Sequence, residues 1–257
     1  MSQKKVFLGK VVGILPARWN SSRFPGKPLA KISGKTVISR AYQQACKAKL
    51  LDHVSVATDD SRIYNHIIDL GGNAIMTSSH CSNGTERIAE VVVNHYPEAE
   101  IIVNIQGDEP FINPKILDNL VKKMQLTPEA DLVTPIYKQK ATSREFSQKT
   151  VKCVISLDGK ALYFSRSPIP AFYSKLSEQE FYIHMGLYCF RRELLLEYSR
   201  LQPGKLAAIE DLEQLKILEN GKKIYTIFAN EKSICIDYPE DIKMAEDYLL
   251  CNSHVYS

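Results

Sequence analysis

Short apolar runs alternate with longer amphipathic stretches from residue 11 to residue 136, and this alternation restricts the chain more than any other feature. Val11 to Leu15, closed by Pro16, reads as a buried strand. Thr36 to Leu50 reads as a helix with Val37, Ile38, Ala41 and Ala45 on its inner face. A strand over Val54 to Ala57 follows, then a helix over Asp59 to Leu70 stopped by Gly71 and Gly72, then a brief strand over Ala74 to Met76. A helix over Thr85 to His95, a strand over Ile101 to Ile105, a helix over Pro114 to Leu126 and a strand over Leu132 to Ile136 complete the regular part. Strands spaced by helices build βαβ units, so the expected fold class is α/β, a mainly parallel sheet with helices on both faces. Residues 138–205 break the rhythm with short strands at 151–156, 160–164 and 183–190, and read as a smaller arm inserted into one domain spanning 1–257. A helix from Ile209 to Glu219, with Ile209, Leu212, Leu215 and Leu218 spaced by three, leads to strands near 223–228 and 233–236 and a last helix from Pro239 to Leu250.

Composition narrows the class. With 44% hydrophobic and 24% charged residues the chain is an ordinary globular one, which excludes wholesale disorder. No apolar run approaches the roughly 18–20 residues of a membrane span, so no membrane insertion is expected. Lys4 and Lys5 ahead of Val6 to Leu15 imitate a secretory signal, but Lys10 interrupts the run and Pro16 follows it, so a buried first strand is the better reading. Six scattered cysteines without a CxxC pair argue against zinc and disulfides and fit a reducing, cytoplasmic setting. Charge is uneven. Residues 1–50 hold 11 basic side chains and no acidic one, whereas the remainder holds 22 basic and 29 acidic, which points to an anionic partner of the N-terminal part.

Two common phosphate cradles are missing. Gly34-Lys35-Thr36 imitates the end of a P-loop, but Leu29 stands where its first glycine belongs, and no G-x-G-x-x-G follows the first strand. Instead Arg18, Arg23 and Lys27 lie on the loop leaving the carboxyl end of strand one, where open α/β sheets bind ligands. The arginines can fork phosphate oxygens, Lys27 can supply a compact charge, and Gly26 lets backbone N–H groups approach an anion. A solvated basic loop is the bland alternative; position favours a site. Gln106-Gly107-Asp108-Glu109-Pro110 closes the strand over Ile101 to Ile105, and reads equally as an acidic turn or as a carboxylate for a hard cation such as Mg²⁺. Asp237-Tyr238-Pro239-Glu240 has the spacing of a capping box for the last helix, and Asp237 can also serve a metal.

These stretches occur in one order with Gly84-Thr85-Glu86-Arg87, Tyr163-Phe164-Ser165-Arg166, His184-Met185-Gly186-Leu187-Tyr188 and Leu212-Glu213-Gln214-Leu215. Together, over roughly residues 10–250, they closely resemble the CMP-Kdo synthetases of Gram-negative bacteria, the 3-deoxy-manno-octulosonate (Kdo) cytidylyltransferases. The resemblance implies the Rossmann-like sheet of nucleotide-diphospho-sugar transferases and the transfer of CMP from CTP to Kdo for lipopolysaccharide synthesis, with release of pyrophosphate. It implies Mg²⁺ as cofactor and a homodimer built through the arm. By matching positions, Arg18, Arg23 and Lys27 resemble the triphosphate grip, and Asp108 and Asp237 the metal pair. Gln106, Arg166, His184, Tyr188, Glu213 and Gln214 match the sugar side, and Ser82, Gly84 and Arg87 the nucleotide side. A carboxylated, polyhydroxylated sugar suits one arginine plus neutral donors and acceptors. His80-Cys81-Ser82-Asn83 departs from the family's usual His-x-Ser or Gln-Ser stretch.

Three rivals remain at this level. One is a cytidylyltransferase for another acidic sugar, sialic acid or amino-Kdo. Another is a non-catalytic nucleotide- or sugar-binding protein, which would lack one of the two aspartates. A nucleic-acid binder would spread basic and aromatic side chains along a surface, whereas here they concentrate on one loop.

Overall fold

The computed structural model describes residues 10–21, 23–140, 148–171, 180–230 and 232–252. Residues 6–9 of the expected first strand, Ser22 of the basic loop and residues 141–147 and 172–179 of the expected arm lie outside the described residues. The chain forms two compact units, one running to Asp118 and resuming at Ser233, the other spanning Asn119–Lys232.

The first unit contains β1 (Val11–Ala17), the short pair β2 (Lys31–Ile32) and β3 (Lys35–Thr36), α1 (Val37–Ala45), β4 (His53–Thr58), α2 (Ser61–Asp69), β5 (Ala74–Met76), α3 (Gly84–His95) and β6 (Ile101–Asn104). The boundary falls within α4 (Pro114–Leu126). Strands run β5-β4-β1-β6, all parallel. Val12, Ile14 and Leu15 of β1 are inaccessible, as are Val56 of β4 and Ile102 and Val103 of β6, which is the continuous burial of strands covered on both faces. Helix starts are locally specified. Thr36 caps α1 by accepting from Ser39 N, Asp60 caps α2 through Arg62 N, and Asn83 caps α3 through Glu86 N.

The second unit is built on β7 (Leu132–Lys140), with β8 (Lys152–Ile155), β9 (Ala161–Ser165), β10 (Glu180–His184), β11 (Tyr188–Arg191), α5 (Arg192–Glu197), α6 (Lys205–Glu210), α7 (Glu213–Glu219) and β12 (Ile224–Phe228). Here pairing is mostly antiparallel: β7 with β10 and β11, β8 with β9 and β10. β12 runs parallel to β7. The short link 156–160 between β8 and β9 suits their antiparallel pairing, because a parallel crossover needs a dozen residues or more.

Three local expectations change. The expected strand over 183–190 is two strands, because Met185 to Leu187 form a tight turn in which Leu187 N donates to Met185 O at 2.8 Å. The expected helix over Ile209 to Glu219 breaks at Asp211, which takes a left-handed conformation (φ 52°), so the three-residue stripe does not continue through it. Ile209 is therefore 80% exposed, while Leu212, Leu215 and Ile217 are buried. The capping box at Asp237 is replaced by a different device. α8 spans Asp241–Cys251, Glu240 makes no capping bond, and Asp241 Oδ2 accepts from Asp237 N at 2.7 Å and Tyr238 N at 2.8 Å. The Asp237 carboxylate is thereby left for other partners. Replacing Asp241 with alanine should cost about 1 kcal/mol of stability, and Glu240→Ala less than about 0.5 kcal/mol, read from urea unfolding midpoints.

Candidate active site

In the first unit the basic loop starts where β1 ends. It turns on Gly26, whose φ is 73°, and Gly26 N donates to Trp19 O at 3.0 Å. A Cβ on Gly26 would lie 3.0 Å from the Trp19 ring, so both the backbone conformation and the space demand glycine. The turn delivers Lys27 inward, its side chain only 13% exposed. The Lys27 ammonium lies 2.6 Å from Asp108 Oδ2 and 4.0 Å from Asp237 Oδ1. Arg23 Nη2 reaches the same Asp237 oxygen at 2.8 Å and places its guanidinium over the Tyr238 ring, 5.5 Å from the centroid. A hydrogen bond to Tyr238, and then the charge of Asp237, holds Arg23 above its ordinary pKa.

Asp108 is set by the end of β6. A Cβ on Gly107 would lie 3.1 Å from Pro16 O and 3.0 Å from the Ile38 side chain, so glycine lets this loop close against the end of β1. Asp237 is brought alongside by one backbone bond, Ile236 N to Asp108 O at 2.9 Å. Residues 233–236 thus form no strand, but they do the positioning that the expected strand was to do. Cys235 joins the two aspartates: one ligand atom from each of Asp108, Cys235 and Asp237 lies within 4.8 Å of the others. Its proximity was missed in sequence, although residues two apart in an extended stretch share a side. Burial, reinforced by Asp108 and Asp237, pushes the Cys235 thiol strongly up, so it carries its proton. Two carboxylates in this arrangement fit a hard cation completed by phosphate oxygens, and Lys27 already puts a positive charge between them.

Glu109, beside Asp108, is 7% exposed, with Oε2 unpaired among the described residues. Burial, with a smaller push from Asp108, raises its pKa from 4.5 to about 7. A carboxyl with a raised folded pKa stabilises the fold fully below its unfolded pKa and loses that contribution as pH climbs through the folded one. Stability should therefore fall between pH 4.5 and about 7, by up to about 3 kcal/mol. Glu109→Gln should flatten the profile in urea unfolding followed across that window.

The nucleotide-side residues divide. Arg18 donates to Ser82 O at 3.0 Å and Cys81 O at 2.7 Å, linking the basic loop to residues 81–82. Ser82 N donates to Glu86 Oε2 at 2.9 Å, and Asn83 Oδ1 accepts from Glu86 N at 2.8 Å, a reciprocal cap that fixes this loop. A Cβ on Gly84 would lie 3.2 Å from the Pro16 ring, a close approach of α3 to β1. Cys81 is no reactive thiolate, since burial and Glu90 push it to about 11. Arg87 has no exposed surface, and it donates to Asp59 Oδ2 at 2.9 Å and to Thr77 Oγ1. It acts as a positioning residue. Gln106 lies two residues beyond β6, its carbonyl accepting from Glu109 N at 3.3 Å.

The second unit carries its own polar set. Arg166 donates from Nε to Glu210 O at 2.7 Å, from Nη1 to Gln148 O at 3.1 Å and from Nη2 to Asp211 O at 3.1 Å. Three of its five N–H groups are thereby used, and the other two make no hydrogen bond among the described residues, although Asp211 Oδ2 lies 3.9 Å from Nη2. The buried Lys152 supports it, donating to Arg166 O at 2.7 Å and Thr150 O at 2.9 Å. Thr134 Oγ1 lies 2.7 Å from Leu187 O and 2.8 Å from His184 Nε2. The single hydroxyl proton goes to the carbonyl, so Nε2 carries the imidazole proton and Nδ1 is left as an acceptor. Desolvation lowers His184 to about 3, keeping it neutral. Its ring lies 5.5 Å from that of Tyr188, whose hydroxyl donates to Gln214 Oε1 at 3.2 Å. Gln214 is 2% exposed, not on a solvated face, and Glu213 beside it is exposed. Thr134 and Glu210 were not foreseen; a lone hydroxyl within the apolar run 132–136 marks the first, while nothing local marks the second.

A family model described as cytidylyltransferase matches residues 12–224. A 3-deoxy-manno-octulosonate cytidylyltransferase of Chlamydia pneumoniae is 51% identical over 245 residues, covering 95% of this chain and 96% of the relative. The chain belongs to this cytidylyltransferase family. A relative of the same description from Protochlamydia amoebophila is 40% identical, covering 96% and 97%. Among solved structures, a CMP:2-keto-3-deoxy-manno-octonic acid synthetase complexed with CTP superimposes with a TM-score of 0.89 at 35% identity, covering 94% of this chain and 99% of that one. A 4-diphosphocytidyl-2C-methyl-D-erythritol synthase from Anaerococcus prevotii, at 15% identity and a TM-score of 0.63, shares the fold.

Proposed function

We propose that the protein transfers CMP from CTP to Kdo, giving CMP-Kdo and pyrophosphate, with Mg²⁺ held by Asp108 and Asp237. The observation that carries this is the paired set Lys27–Asp108 and Arg23–Asp237, two cations and two carboxylates at the end of a parallel sheet. A metal–triphosphate has the same charges in mirrored places, so phosphates can take over the cations while the metal takes over the carboxylates. The names borne by relatives that align over 95% of the chain support the choice of nucleotide and sugar.

In this reading the anomeric oxygen of Kdo attacks the α-phosphorus in line. Lys27, Arg23 and Arg18 bind the β- and γ-phosphates and offset the charge that builds on departing pyrophosphate. Bound at the aspartates, Mg²⁺ would polarise the α-phosphate and the sugar hydroxyl. Arg166, with two donors that make no hydrogen bond among the described residues, is suited to the Kdo carboxylate, and neutral His184 to a sugar hydroxyl. We also place the protein in the cytoplasm as a homodimer. Six free cysteines support the first, and Leu162, 58% exposed on the edge strand β9, the second.

Pyrophosphate release with CTP, Mg²⁺ and a panel of acidic sugars tests the reading. Release with Kdo alone is expected. Release only with sialic acid or amino-Kdo would move the assignment to that sugar, and silence with every sugar from folded protein would leave a binding protein.

A further inference from the structure

A cavity of about 310 Å³ lies in the first unit, lined by Lys35, Arg40 and Lys47 together with Tyr42, Pro110 and Phe111, and by none of Lys27, Asp108 and Asp237. No Asp or Glu lines it. Its central feature is Arg40, only 7% exposed. Buried cations are normally paired with a carboxylate. Among the described residues Arg40 has none within 4.0 Å: Nε and Nη2 both donate to one carbonyl, Ile32 O, at 3.2 and 2.8 Å. Nη1 has no hydrogen-bond partner among the described residues. The acid nearest in influence, Glu246, accepts from Ser33 N at 2.8 Å. The Arg40 guanidinium lies over the Phe111 ring, 5.9 Å from its centroid, in a lining it shares with two lysines.

We propose that this cavity is a second anion site, which binds a small phosphorylated molecule. Three cations with no lining acid match a group carrying close to two negative charges at neutral pH, as a phosphate monoester does. A carboxylate would leave most of that charge uncompensated. The free Arg40 nitrogen supplies a directional donor, the lysines supply point charges, and the wall of Tyr42, Pro110 and Phe111 receives the organic part of the ligand. The volume suits a compact metabolite.

Inorganic phosphate is the probe, and calorimetric titration of the full-length protein the measurement. Because Arg18, Arg23 and Lys27 also attract phosphate, the titration is made in the Arg18→Gln/Arg23→Gln/Lys27→Gln background, which separates this site from the proposed catalytic one. Saturable binding there, weakened about tenfold or more by Lys35→Gln/Lys47→Gln and by Arg40→Gln, is the expected result. The lysine pair is on the surface, where replacement is expected to leave folding intact, so it decides the matter if Arg40→Gln does not fold. Absence of saturable binding in that background, or binding indifferent to the lysine substitutions, overturns the proposal.

Discussion

Asp108→Asn should lower turnover with CTP, Kdo and Mg²⁺ by about 10²-fold or more, with a smaller change in CTP affinity. The side chain sits on a loop fixed by the close packing of Gly107 on β1 and by the bond from Ile236 N to Asp108 O. Asparagine keeps shape and loop geometry and removes only the charge. Two interactions made in the transition state then suffer together. The metal pair loses a charged ligand, and Lys27, 2.6 Å away and only 13% exposed, loses the partner that orients it. Steady-state pyrophosphate release gives the answer. Turnover close to wild type would remove Asp108 from the chemistry and with it the proposed metal site.

Arg87→Met should have the largest effect on stability. The guanidinium is wholly buried and ties the first turn of α3 to Asp59, just beyond β4, at 2.9 Å and to Thr77, just beyond β5. Methionine fills comparable space but leaves Asp59, 23% exposed, without its partner. Removing one member of a buried ion pair costs about 3–5 kcal/mol, and the partial exposure of Asp59 places this case near 3 kcal/mol. Urea unfolding measures it. Replacing both residues, Arg87→Met with Asp59→Leu, should recover part of the loss. If the double substitution is instead as damaging as the two single ones added together, the pair is not the cause.

Legibility followed the range of the forces involved. The strand-helix alternation of the first unit was readable because each element buries its own apolar face, and β5 and α4 occur with the expected ends. The break at Asp211 was not, because one left-handed residue interrupts a hydrophobic spacing that otherwise suits a continuous helix. The roles of Asp237 and Asp241 were exchanged for a similar reason. Both are near the start of α8, and only the backbone geometry decides which carboxylate turns back to the N–H groups.

Sequence by itself determined the α/β class, the basic loop after the first strand, the acidic turn after β6 and, through their joint order, the family. These rest on local periodicity and residue chemistry. Tertiary structure alone decided that Lys27 lies against Asp108, that Ile236 hands Asp237 and Cys235 to the same place, that Arg87 is buried and ion-paired, and that Arg40 is buried without a carboxylate partner among the described residues. Each depends on hydrogen bonds and packing between segments far apart in the chain, whose energies no local pattern records.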